Sequence, residues 1–246
     1  MQTLMETAPA RSQLRRWPWA LAAVLLLGAA IATARATYLF WLPCRGSMTR
    51  GLVFAGQSEG PIPDACLAQM DSGTPFPYAA DDAVYPTEGP ELAAMAMALA
   101  GLAWLVVVLG MRWRLRTTVV AVLPALLSLG LAVSSARAVL LGGTRESAFA
   151  STPWWYLLEA FAVCALLVIW LWQREARGWQ LARLTLILWG VTAFGMQHAL
   201  VDYMIMVAIN TWNWDCPPGC GYPTVVAIAV AAALTASGML QRRPLH

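Results

Sequence analysis

The chain contains no lysine, since all 16 of its basic residues are arginine. That absence excludes Schiff-base chemistry and the GxxxxGK[ST] phosphate loop, both of which need the amine. Charge of either sign is also scarce: Asp, Glu, Lys and Arg make up 12% of 246 residues, about half the share of an ordinary soluble domain. Histidine occurs only twice, and His246 stands at the far end of the chain from His198. Bis-histidine haem ligation inside a membrane is therefore excluded. The net charge of +3 is spread along the chain rather than gathered in one patch, so nucleic-acid binding is not supported.

What is abundant is apolar: 59% of residues are hydrophobic and the mean hydropathy is +0.60. A helix needs roughly 20 apolar residues to cross the hydrocarbon core of a bilayer. Six windows of that kind run from about Trp17 to Leu42, Glu91 to Met111, Thr117 to Leu141, Pro153 to Trp172, Arg183 to Asn210 and Tyr222 to Leu240. They predict an all-α, polytopic membrane bundle of six transmembrane helices over 17–240, with tails at 1–16 and 241–246. The long loop 43–90 is the one sizeable segment outside the bundle.

Arginine placement orients the bundle, because basic residues collect on the cytoplasmic side. Arg11, Arg15, Arg16, Arg112, Arg114, Arg116, Arg174, Arg177, Arg183, Arg242 and Arg243 fall on one side, against Arg45, Arg50 and Arg145 on the other. Both termini are expected in the cytoplasm. Tryptophans cluster near the predicted helix ends, as they do at headgroup level, while Trp104 and Trp189 lie well inside. The second and sixth spans, "ELAAMAMALAGLAW" and "VVAIAVAAALTASG", carry the small residues that let membrane helices approach closely. Pro124 is expected to kink the third span, which membrane helices tolerate.

Four cysteines fall on the outer side: Cys44 and Cys66 in the long loop, Cys216 and Cys220 in "TWNWDCPPGCGYP". An even set in an oxidising compartment reads as disulfides. Pairing Cys44 with Cys66 and Cys216 with Cys220 is favoured, because Pro217, Pro218 and Gly219 form a tight turn; a pairing that crosses between the loops is the alternative. Three residues separate Cys216 from Cys220, which does not match the Cys-x-x-Cys of thiol oxidoreductases. Cys164, in mid-span, reads as a small buried apolar residue.

Ionisable groups inside a membrane ask for a partner or a purpose, since each costs at least a few kcal/mol. There are five: Arg35, Arg137, Glu159, His198 and Asp202. At 1.5 Å rise per residue, all five fall roughly 6–18 Å below the outer boundary. His198 and Asp202 are four residues apart and share a helix face. Two arginines and two carboxylates balance if His198 is neutral, so one electroneutral cluster is expected beneath the cysteine-bearing loops. The nearby arginines favour a small anionic ligand over a metal ion, and no cofactor is indicated. The alternative is that the charges pair only to fix helix register or snorkel outward.

The segments "LPCRGSM", "MDSGTPFPY" and "WNWDCPPGCGYPT", together with the lysine-free Ala/Leu/Val/Arg-rich composition, resemble integral membrane proteins of high-GC actinobacteria that have no assigned activity. The resemblance covers most of the chain and implies a multi-pass protein of the bacterial plasma membrane. It implies no reaction.

Three function classes remain open. One is a binding or transport protein that takes a small anionic solute or a proton at the polar cluster; six spans allow three-plus-three inverted repeats, although the halves show no self-similarity and no broken helix is evident. A second is an accessory protein working through packing, a membrane partner or self-association. The third is an enzyme acting on an outer-leaflet substrate with His198 as base; no nucleophile motif marks one, so catalysis is disfavoured. Basic residues, an apolar run and Ala-x-Ala at 32–34 or 34–36 also give the first span the pattern of a cleavable signal peptide. The continued apolar text through "TYLFWL" favours an uncleaved anchor, so the intact mass of purified protein should include residues 1–36; a mass lacking them would identify a signal peptide.

Overall fold

The computed structural model describes residues 17–45, 49–50, 53–54, 62–71, 88–111, 113–140, 154–172, 179–193, 196–210 and 217–240. Eight α-helices lie in these segments: α1 (Trp17–Phe40), α2 (Asp64–Met70), α3 (Glu88–Gly110), α4 (Leu115–Leu140), α5 (Trp154–Trp172), α6 (Trp179–Val191), α7 (Met196–Asn210) and α8 (Tyr222–Leu240). A two-residue antiparallel pair, Thr49–Arg50 with Val53–Phe54, is the sole sheet among the described residues. The fold is thus all-helical. Three helical stretches, Trp17–Phe40, Glu91–Gly110 and Leu115–Val133, are long and apolar enough to cross a membrane.

Five expected spans coincide with single helices to within a few residues. The fifth does not: the window Arg183 to Asn210 is divided into α6 and α7. Thr192 N–H still bonds the Leu188 carbonyl, but Ala193 N–H turns back to Gly190 O. The helical ladder therefore stops at a tight turn over Thr192 and Ala193. A broken helix, which the sequence did not reveal, is the main architectural correction.

Packing follows a ring in which α3 lies between α1 and α4, α5 lies on α4, and α8 lies on α1 and α6. Neighbours run antiparallel: Gly110 at the end of α3 meets Pro18 at the start of α1, while Ser128 Oγ of α4 donates to Met97 O of α3 at 2.9 Å. Pro124 sits inside α4 without ending it. Close by, the Trp104 indole reaches from α3 to donate to Ala121 O at 2.7 Å, which satisfies a polar group that would otherwise be stranded in the core.

Small side chains fill the centre. Ala22, Ala29, Ala96, Ala100, Ala121, Ala125, Ala165 and Ala231 are buried, while Val24, Leu27, Ile31, Leu109, Leu126, Val133, Leu167 and Leu200 are exposed. Trp104, Leu26, Met97 and Ile169 are buried among the alanines; small residues at helix contacts, with many large apolar groups outward, suit helices held by backbone proximity.

A second apolar cluster caps one end, formed by Phe40, Trp41, Cys44, Cys66, Met70, Met206 and Cys220. The expected Cys44–Cys66 disulfide is present and ties α2 to the short 3-10 turn Leu42–Cys44 that follows α1. Trp41 Nε1 then donates to Cys220 O at 2.8 Å, which fastens that turn to the start of α8. Cys216 and most of loop 43–90 lie outside the described residues. Cys164 is exposed on α5 rather than buried, so the reading of it as a core residue is corrected.

Gly190 sets the closest approach of α6 to α8, since a Cβ there would collide with Ala231 Cβ and meet Ala227 O at 3.1 Å. Gly190→Val should lower unfolding stability in detergent by about 1–3 kcal/mol, and Ala231→Gly in the same chain should recover part of that loss. A thermal melt unchanged by Gly190→Val would show that the two helices are not in contact.

Candidate functional site

The broken span brings His198 and Asp202 to the junction of α1, α6 and α8. At the break, Trp189 O has lost the helical partner that Ala193 would supply. Two side chains replace it: Thr192 Oγ1 donates at 3.1 Å, and the His198 imidazole hydrogen-bonds the Trp189 backbone. Side-chain rescue of a freed carbonyl is how an interrupted helix survives in apolar surroundings. The His198 ring also lies against the Trp189 indole, with centroids 4.4 Å apart and planes inclined by 32°.

His198 Nε2 has no hydrogen-bond partner and is buried. The Trp189 contact is therefore made through Nδ1–H, which fixes the tautomer and leaves the Nε2 lone pair unused. His198 is 4% exposed.

Asp202 is one turn further along α7 and 1% exposed. Its Oδ2 accepts from Gly221 N–H at 2.6 Å and from Thr224 Oγ1 at 3.1 Å. The carboxylate thus caps the N-terminus of α8 from a neighbouring helix, where backbone donors are unsatisfied and the helix dipole favours negative charge. Its second oxygen, Oδ1, is buried without a partner. Gly221 has φ +99°, and a Cβ on it would come 2.8 Å from Thr37 Oγ1. The cap therefore requires glycine. Thr37 Oγ1 is itself buried and unpartnered, so Gly221 has an unused polar atom of α1 on one side and the half-used Asp202 carboxylate of α7 on the other.

Of the five residues expected to cluster, His198 and Asp202 lie one turn apart on α7. Arg35 is exposed on α1, with its guanidinium 5.6 Å from the Tyr38 ring; Arg45 takes the Tyr38 hydroxyl at 2.8 Å. What neutralises Asp202 is a helix terminus, not Arg35. Glu159 is buried in the second turn of α5. The side chain of Arg137 lies outside the described residues. Among the described residues, no group of three or more His, Cys, Asp or Glu side chains could hold a metal ion.

Asp202 stands level with Gly221, just before α8, and with Thr37 in the last turn of α1. His198 is about 6 Å further in. The residues missed from sequence are Thr37, Trp189, Thr192, Gly221 and Thr224. One signal was available for the break: a window from 183 to 210 exceeds the roughly 20 residues a span needs and carries "WGVTAFG" at its middle.

No family model, curated protein or solved structure matches the chain.

Asp202→Ala should strand the Gly221 N–H and the Thr224 hydroxyl and cost about 1–3 kcal/mol. Asp202→Asn keeps an acceptor for both and should stay within about 1 kcal/mol of wild type, because Asn and Asp cap helices comparably. Chemical unfolding in detergent measures both; equal losses would show that the charge, not the cap, is what α8 needs.

Proposed function

We propose that this chain is a six-span plasma-membrane protein, with both termini cytoplasmic, that takes up a proton at His198 and Asp202 and uses it to bind or move a small solute. The observation that carries the reading is a pair of buried acceptors, His198 Nε2 and Asp202 Oδ1, left without partners beside a discontinuous helix. Unpaired polar atoms of this kind are costly in a low-dielectric interior. Broken helices with ionisable groups beside the break are a recurrent plan in transporters.

Neither atom is open to solvent in this conformation, and a proton is the ligand that needs no room. Protonation at Nε2 makes His198 cationic, which supplies the positive charge an anionic solute needs now that Arg35 faces Tyr38. Large apolar side chains outward, alanine inward and three membrane-length helices support the bilayer setting. The arginine asymmetry supports the orientation.

The Asp202 cap on α8 favours a second reading, in which the polar groups only hold the bundle together. Infrared difference spectra recorded between alkaline and acidic pH separate the two. The proton reading expects a protonated-carboxyl band that grows as pH falls and is missing in Asp202→Asn, while His198→Asn, which keeps a donor for Trp189 O, shifts its titration. Identical spectra from wild type and Asp202→Asn would leave only the structural role.

A further inference from the structure

The opposite end of the bundle holds a second buried ionisable group. Arg183, in the second turn of α6, is 2% exposed. Its guanidinium lies 4.4 Å from the centroid of the Trp19 ring on α1, and neither Nε nor Nη1 has a hydrogen-bond partner. A guanidinium carries five donors in a planar fork. Here one face is covered by an aromatic ring while two of its three nitrogens point at nothing.

A buried cation is expensive without a counter-charge, none is described beside Arg183, and position makes the need greater. The first turns of a helix carry partial positive charge and unsatisfied N–H groups, so Arg183 adds to the field of α6 instead of opposing it. Helical side chains lean toward the N-terminus, which turns the fork toward the end where a helix presents its N–H groups. The described carboxylates Asp64, Asp71, Glu91, Glu159 and Asp202 all stand toward the other end of the bundle. Arg114 and Arg116, exposed at the start of α4, add positive charge at the same end as Arg183.

We propose that Arg183, backed by Trp19 and the N-terminus of α6, is a binding site for a phosphate-class anion. A phosphate matches the fork bidentately and takes donors from a helix terminus in the same contact. Trp19 fixes the guanidinium plane, and it belongs to the amphipathic type that settles at headgroup level. The anion comes either from the headgroup of an anionic phospholipid or from a free phosphate in solution. The lipid source rests on the membrane reading above; the chemistry of the site does not, because the unpaired fork exists in any surroundings.

The test uses delipidated full-length protein in a neutral detergent and follows its thermal unfolding. One arm adds phosphatidylglycerol, with phosphatidylcholine of equal chain length as control; the other adds inorganic phosphate, with chloride at equal ionic strength as control. A rise in Tm with phosphatidylglycerol above its control identifies a lipid headgroup, and a rise with phosphate above chloride identifies a free anion. In either case Arg183→Gln should weaken the half-saturating concentration on the order of tenfold or more, one charge-assisted bidentate contact. If Arg183→Gln does not fold, Arg183→Lys keeps the charge, loses the fork and should show a smaller weakening of the same kind. No specific stabilisation by either probe, or an equal response in wild type and the Arg183 variant, would overturn the site. The His198 and Asp202 readings do not depend on this outcome.

Discussion

The contact between the Asp202 carboxylate and the Gly221 N–H joins more of the molecule than any other single interaction described. One hydrogen bond of 2.6 Å anchors α7 to the first residues of α8. It places Gly221 in a left-handed conformation against Thr37 of α1, and the adjoining Cys220 carbonyl receives the Trp41 indole. The disulfide then carries the connection outward to α2. A helix terminus in apolar surroundings cannot leave its N–H groups bare, so the acid on α7 answers a demand made by α8. That demand explains why a carboxylate is buried at this position.

The same rule of complete backbone satisfaction accounts for the break. Ending α6 at Val191 frees the Trp189 carbonyl, and Thr192 and His198 fill the vacancy from either side of the turn. His198 and Asp202 are both committed through one atom to backbone groups. Both keep a second atom uncommitted. A purely structural histidine or aspartate has no use for that remaining lone pair, and burial makes its idleness costly. The functional reading rests on this asymmetry between used and unused atoms, which is sharper evidence than the presence of charge alone.

Most of the architecture was legible from hydropathy. Five helices begin and end within a few residues of where apolar windows placed them, because long apolar text in a low-charge chain leaves helix as the economical way to satisfy the backbone. The Cys44–Cys66 bridge was legible from compartment and spacing. The break between α6 and α7 was not, since hydropathy measures how apolar a window is and is blind to where its hydrogen-bond ladder stops. Tertiary capping was equally hidden: Gly221 and Thr224 sit in a turn that reads as ordinary, and only their meeting with Asp202 makes them part of the site. Equal depth along separate helices also misled, because Arg35 at a similar level faces outward to Tyr38.

The two ends of the bundle pose opposite electrostatic problems. At the capped end a carboxylate lies against a helix N-terminus, so charge and dipole oppose one another and the group is neutralised in place. At the other end Arg183 lies against a helix N-terminus of the same sign, with Trp19 as its only described partner. An aromatic face offers about 1–2 kcal/mol to a desolvated cation, less than the several kcal/mol that burial removes. In the proposed site the difference comes from a bound phosphate-class anion, since Asp202 at the capped end is already engaged by α8. The two proposals are thus complementary, a proton where acceptors are left over and an anion where donors are.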